Sequence, residues 1–158
     1  MYLFKHRNNW ADEYLAESTA ITKNYGAAIE IHHIGSTAVP GLHSKDCIDI
    51  LGVVEDLSQV AERTDKLITL DYEYKGAYGI DKRMYFSKVA RKVHLHIFET
   101  NDVNIDRHLK FVEIMRAKPN LVEELNAIKK ELHKKFPNNK EAYQTGKKHF
   151  YDKIHRMI

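Results

Sequence analysis

Apolar positions along the chain change their period several times, and each change marks an element. Trp10, Tyr14, Ile21 and Tyr25, with Ala11 and Leu15 beside them, recur near every 3.6 residues and predict an amphipathic helix that Gly26 ends. Residues 28–34 (AIEIHHI) then alternate, with Ile29, Ile31 and His33 on one side, as in a half-buried strand. After a loop containing Pro40-Gly41, residues 46–54 are almost continuously apolar and β-favouring, the pattern of an interior strand. Leu57, Val60, Ala61, Thr64, Leu67 and Ile68 form a second helical stripe, followed by Tyr72-Glu73-Tyr74-Lys75. Residues 83–88 and 92–99 read as two antiparallel strands of a hairpin turning at Val89-Ala90-Arg91. From Ile105 onward the period is helical. Pro119 ends the first helix, Asn120 with Glu123 signals the start of the second, and Pro137-Asn138-Asn139 separates the third. Leu121, Leu125, Ile128, Leu132 and Phe136 line one inner face, and Tyr143, Lys147, Phe150, Ile154 and Ile158 the other. The expected architecture is α+β: a small mixed sheet, flanking helices, and a C-terminal helical cluster over 105–158 closing against a sheet-containing core over 1–100.

Composition narrows this further. A chain of 158 residues with 43% hydrophobic and 30% charged residues has the size and apolar content of one globular domain, here expected to run 1–158. No apolar run approaches the ~20 residues of a bilayer span, and the first residues lack the apolar core of a secretory signal, so a cytoplasmic protein is expected. The single cysteine, Cys47, excludes an internal disulfide and reads as packing. Net charge is only +3, giving no specific case for nucleic acid, but it is uneven. Residues 101–158 hold 13 Lys and Arg against 8 Asp and Glu, whereas residues 1–100 hold 12 against 14. The excess suits either a phosphorylated ligand or a lysine-rich solvated surface.

The most informative stretch is His33-Ile34-Gly35-Ser36-Thr37-Ala38-Val39-Pro40-Gly41-Leu42, followed by Lys45 and by Ile48-Asp49-Ile50-Leu51. A strand ending in Gly-Ser turns tightly and brings amide donors and a hydroxyl toward an anion, which makes Gly35 and Ser36 a candidate phosphate cradle. Twelve residues separate Ser36 from Asp49, enough for a turn and a return to the adjacent strand. Asp49, flanked by Ile48, Ile50 and Leu51, is costly to bury unless paired or bound to a metal; a partner role toward Lys45 is the alternative.

The run HIGSTAVPGL, the later IDI, HLHIFE, the HLKF of a helix and EAYQTGKKHF together resemble the GrpB family over residues 5–151. That resemblance implies membership of the nucleotidyltransferase superfamily, whose Gly-Ser loop precedes a pair of carboxylates on the next strand and a third on a later one. It implies that Gly35 and Ser36 hold nucleotide phosphates and that Asp49 is the first metal-binding, catalytic carboxylate. The chain departs from the pattern at Leu51, in the second carboxylate position, and on strand 93–98, which offers His94 and His96. One Asp with two imidazoles suits a single divalent metal, Mg, Mn or Zn, with the borderline ions favoured over hard magnesium.

Each candidate has a structural alternative. His94 and His96 share a strand face and either reach one metal with Asp49 or are hydrogen-bonded structure. Lys45 is a phosphate ligand or a surface lysine. Tyr143 and Lys147 offer a hydroxyl and an ammonium to a nucleotide, or are core and snorkelling side chains. Of His32 and His33, which point to opposite faces, at most one belongs to the pocket. Lys82-Arg83 and Arg91-Lys92 are expected to be solvated. Three functions remain: transfer of a nucleotidyl group to a small molecule, binding of a nucleotide or phosphorylated metabolite by a catalytically reduced module, and metal-dependent hydrolysis using Asp49, His94 and His96.

Overall fold

Two strands account for the centre of the molecule. The computed structural model describes residues 2–158. Its elements run α1 (Asn9–Tyr25), β1 (Glu30–Ile34), β2 (Ile48–Val54), α2 (Leu57–Glu62), α3 (Thr64–Ile68), β3 (Glu73–Tyr74), β4 (Arg83–Lys88), β5 (Val93–Glu99), α4 (Val103–Ala117), α5 (Pro119–Lys135) and α6 (Lys140–His155). The sheet order is β1-β2-β5-β4-β3. β2 and β5 lie parallel, with Asp49 beside His94 and Leu51 beside His96, while the remaining pairs are antiparallel. The expected mixed sheet and β4–β5 hairpin are both present.

Alternation along the strands sends their side chains to two differently covered faces. Ile48, Ile50, Val54, Phe86, Leu95 and Ile97 pack with Trp10, Ile21, Tyr25, Val60 and Leu67 from α1–α3. On the opposite face, Ile34, Leu51 and Phe98 meet Ile105 and Leu109 of α4. Helices α4–α6 bury Phe111, Met115, Leu125, Phe150 and Ile154 against Ala38, Val39 and Leu42 of the β1–β2 connection. With both faces covered, β2 reads as an apolar run broken only by Asp49 rather than an alternating one.

Local physics corrects several expectations. Ala11 and Leu15 face solvent, Leu15 being 61% exposed, because the buried stripe of α1 follows Trp10, Ile21 and Tyr25. The helical stripe over 57–68 is broken into α2 and α3 at Arg63, whose Nη1 donates to the Tyr25 carbonyl at 2.8 Å. Residues 73–74 add a short edge strand. α4 begins at Val103, capped by the Asp102 carboxylate, which accepts from the Asn104 amide. Asn120 caps nothing: Pro119 occupies the first turn of α5, where its fixed φ suits the helix and its missing N–H costs no bond. Arg83 is buried, not solvated, and Arg91 is half-buried, pairing with Glu13 and Asp46 at 2.6 and 3.0 Å.

Two expectations follow for stability. Ile50 is fully buried in the larger core, so Ile50→Ala costs about 2–5 kcal/mol, read as a lower urea midpoint at unchanged slope. His33, stacked on Tyr14 at 4.6 Å between ring centroids, is held neutral down to about 4 by burial and, secondarily, by Arg116. His108 is likewise pushed down to about 4, by burial and then by His96. An unfolded histidine protonates near 6.5, so between that pH and about 4 the unfolded chain binds more protons than the folded one. The contribution of these two histidines is therefore complete above about 6.5 and is lost as pH falls toward 4. The urea midpoint is lower at pH 5 than at pH 7, and His33→Gln, which can still bond the Thr37 hydroxyl that His33 Nε2 meets at 2.9 Å, narrows the difference.

Candidate functional site

The site begins where β1 stops. Ile34 is the last residue of β1 and pairs with Asp49; Gly35 then takes φ +74°, and Ser36–Ala38 form a 3-10 turn. A Cβ on Gly35 would lie 3.0 Å from Asp49 Oδ2 and 3.2 Å from Asp49 Cβ, so both the left-handed conformation and the close approach require glycine. The turn thus lies directly against the carboxylate, as the Gly-Ser and Asp spacing predicts.

Register on β5 brings two imidazoles to the same carboxylate. Asp49 Oδ1 is 3.1 Å from His96 Nε2 and 3.6 Å from His94 Nδ1. Arg83 Nη1 lies 3.1 Å from His96 Nδ1, and its other guanidinium nitrogens donate to the Ala77 and Tyr78 carbonyls. A guanidinium only donates, so Nδ1 of His96 accepts and its Nε2–H donates to Asp49. Burial alone pushes the Asp49 carboxyl upward, but His94 and His96 outweigh it and hold the group well below the usual carboxylate range. Asp49 is therefore an anion throughout neutral pH. Leu51, on the same face two residues on, is fully buried with Ile34 and Phe98.

Facing Asp49 is an unusual concentration of ammonium groups. Lys129 of α5 is 2% exposed; its Nζ donates to Ser36 Oγ at 2.8 Å and to the His43 carbonyl at 2.7 Å. Burial pushes its pKa well below the ordinary lysine value, and Lys147 and Lys45 push it further. Lys147 of α6 is 8% exposed, with Nζ 4.6 Å from the Tyr143 ring centroid, and is driven down to about 8 by burial and then by Lys45. Lys45 is lowered by burial and by Lys140 and Lys92. These three lysines and Arg107 line one cavity of about 410 Å³ that also contains Gly35, Ser36, Cys47, Asp49, His94, His96, His108, Tyr143 and Tyr151. Among the described residues, Asp49 is the one carboxylate lining it.

The residues assigned to the site from the sequence all border this cavity: Asp49, Gly35, Ser36, Lys45, Tyr143, Lys147, His94 and His96. Tyr143 is almost fully buried and its hydroxyl is pushed up to about 12 by burial, then by Tyr151. His32 and His33 lie outside the cavity, beside α4. Sequence reasoning missed Lys129, His108, Arg83 and the position of Cys47. Lys129 had a signal, since it follows Leu125 by four residues on the inner stripe of α5, just as Lys147 follows Tyr143 on α6.

Among the described residues, no helix is long and apolar enough to cross a membrane. A family model described as GrpB protein matches residues 1–157. The chain is 31% identical over 160 residues to the glutamate-rich protein GrpB of Alkalihalophilus pseudofirmus, covering 96% of this chain and 92% of that one. It is 34% identical over 145 residues to the UPF0157 protein YqkA of Bacillus subtilis, covering 90% of this chain but only 42% of that longer protein. Among solved structures, GrpB from Enterococcus faecalis superposes with a TM-score of 0.92 at 28% identity over 99% of this chain and 96% of that chain. The Cid1 poly(U) polymerase with Mg and 3'-dATP bound gives 0.62 at 13% identity, covering 90% of this chain and 49% of that one. That likeness shows the nucleotidyltransferase-like fold, and the matches along the whole length show the narrower kinship: the chain belongs to the GrpB family.

Proposed function

We propose that the cavity binds the phosphates of a nucleotide or a nucleotide-like phosphorylated small molecule. The observation that carries this reading is the charge imbalance: Lys45, Arg107, Lys129 and Lys147 surround one carboxylate beside a Gly-Ser turn. Lys45 lowers the proton affinity of Lys147, both lower that of Lys129, and an anion placed among them relieves both the repulsion and the lost hydration. Gly35 and Ser36 supply the turn, Lys129 holds the Ser36 hydroxyl in place, and Lys45 and Lys147 meet the phosphates. Tyr143 and Tyr151 give the cavity an aromatic wall. The polymerase of the same fold, with 3'-dATP bound, supports a nucleotide as the ligand class.

Nucleotidyl transfer to a small molecule is the second reading, favoured by the anionic Asp49 lying against the Gly-Ser turn. In that reaction an acceptor oxygen attacks the α-phosphorus, pyrophosphate leaves, and Lys45 and Lys147 stabilise the charge on the leaving group. Asp49, held well below the usual carboxylate range by His94 and His96, would serve there as a fixed negative charge beside the turn rather than as a strong base. The residues do not fit a pair of magnesium ions: the second carboxylate position is Leu51, fully buried among apolar side chains, and the β5 position is a histidine pair.

The direct measurement is thermal unfolding of the full chain with nucleoside mono-, di- and triphosphates, in EDTA and with added Mg²⁺, Mn²⁺ or Zn²⁺. A ligand at 100 times its dissociation constant adds about 2.7 kcal/mol of stability, and failure of every phosphorylated ligand to stabilise the fold overturns the reading. Lys147→Met separates binding from folding. Below about pH 8 Lys147 is charged in both states, and only the folded state bears the burial penalty, so the variant is more stable at pH 7 by about 1–3 kcal/mol. Its affinity for the stabilising nucleotide falls about ten- to a hundredfold. Leu51→Asp does the reverse. It places a carboxylate in an apolar cluster, lowers stability by about 3–5 kcal/mol in EDTA, and recovers part of that with Mg²⁺, which leaves the unmodified protein unchanged.

A further inference from the structure

Cys47 is the only thiol, is 6% exposed, and borders the cavity two residues before Asp49. Strand alternation carries residues 47 and 49 to the same face, and the parallel register sets His94 beside Asp49 on the next strand. One donor atom from each of Cys47, Asp49 and His94 lies within 4.8 Å of the others. We propose that these three side chains form a mononuclear site for a transition-metal ion of the Zn²⁺ class, with a fourth position open to the cavity. The inference goes beyond phosphate binding and is tested apart from it.

Distances favour an ion over direct bonding. At 3.6 Å, Asp49 Oδ1 and His94 Nδ1 are too far apart for a good hydrogen bond. Two nitrogen or oxygen ligands at roughly 2.0–2.1 Å from a tetrahedral ion stand about 3.4 Å apart, close to this separation. Charge agrees as well. A thiolate and a carboxylate together neutralise a dication, which makes the ion tolerable beside Lys45 and Lys147. Binding transfers the Cys47 thiol proton to solvent, since the thiolate is the ligand form.

Donor type selects the metal. Thiolate and imidazole suit zinc, cobalt or ferrous iron, whereas magnesium requires a shell of oxygen ligands that this face does not supply. His96 stands next to the site without entering it. Its Nδ1 accepts from Arg83 and its Nε2–H donates to Asp49, so it orients the carboxylate toward the other two ligands. The fourth position faces the lysine-lined cavity, where a water or an anionic oxygen completes the shell.

The test uses the full chain stripped with EDTA and titrated with Co²⁺ alone, without nucleotide. One equivalent binds and produces a near-ultraviolet sulfur-to-cobalt charge-transfer band, which Zn²⁺ abolishes by displacement. Cys47→Ala loses the band and weakens Zn²⁺ binding by about tenfold or more, His94→Gln weakens it comparably, and His96→Gln keeps the band. Circular dichroism establishes that each variant is folded; should Cys47→Ala fail to fold, the band in the unmodified protein and its loss in His94→Gln decide. No band in the unmodified protein, undiminished Zn²⁺ affinity in a folded Cys47→Ala, or a band that survives His94→Gln overturns the site. Nucleotide stabilisation measured in EDTA is unaffected by any of these results, so failure of the metal site and failure of the phosphate reading are distinguishable.

Discussion

The side-chain nitrogen of Lys129, drawn almost completely out of water, ties together parts of the chain that are remote in sequence. From α5 it donates to the Ser36 hydroxyl and the His43 carbonyl, fastening the C-terminal helices to the connection between β1 and β2. Leaving a buried amine without partners is costly, so these bonds restrict how α5 can sit on the loop. Phe111, Met115, Leu125 and Phe150 then pack against Ala38, Val39 and Leu42 around that contact. The cavity is the space between this helical layer and the polar end of the β2–β5 face.

Stability and binding make opposite demands on that space. A core composed only for stability would place apolar side chains at positions 129 and 147, on the inner faces of their helices. Instead the chain puts two amines there and adds Lys45, which depresses the proton affinity of Lys147 and, together with Lys147, that of Lys129. Asp49 alone cannot balance them. Sites that give up folding free energy in this way are the usual places to find a ligand. His94 and His96 in turn favour the ionised form of Asp49 against the cost of its burial, and the His96 tautomer is set by Arg83.

Leu51 shows how one position redirects the chemistry available to a fold. On β2, residues 49 and 51 share a face, so a carboxylate at each would converge on one metal cluster. Here the second side chain joins Ile34 and Phe98, the apolar cluster extends up to the edge of Asp49, and the remaining donors beside the carboxylate are sulfur and nitrogen. The fold is shared with polymerases, while the donor set is this chain's own.

Local sequence was enough to determine the elements with strong periodicity and the loop that makes the cradle. The stripe on α1, the apolar run of β2, the β4–β5 hairpin and the Gly35-Ser36 turn are all set by side-chain spacing or by a backbone conformation that glycine permits. Asp49, flanked by apolar residues, was conspicuous for the same local reason. What only the tertiary structure decided was partnership. Lys129 reads in sequence as one more lysine on a basic helix, and Arg83 as a solvated flank of a hairpin. Burial of both follows from which surface packs over them. Cys47 and His94 stand 47 positions apart in the chain, and only the parallel pairing of β2 with β5 brings them to the same carboxylate. Charge and ligand sets assembled across such distances depend on register and helix docking, which no local pattern encodes.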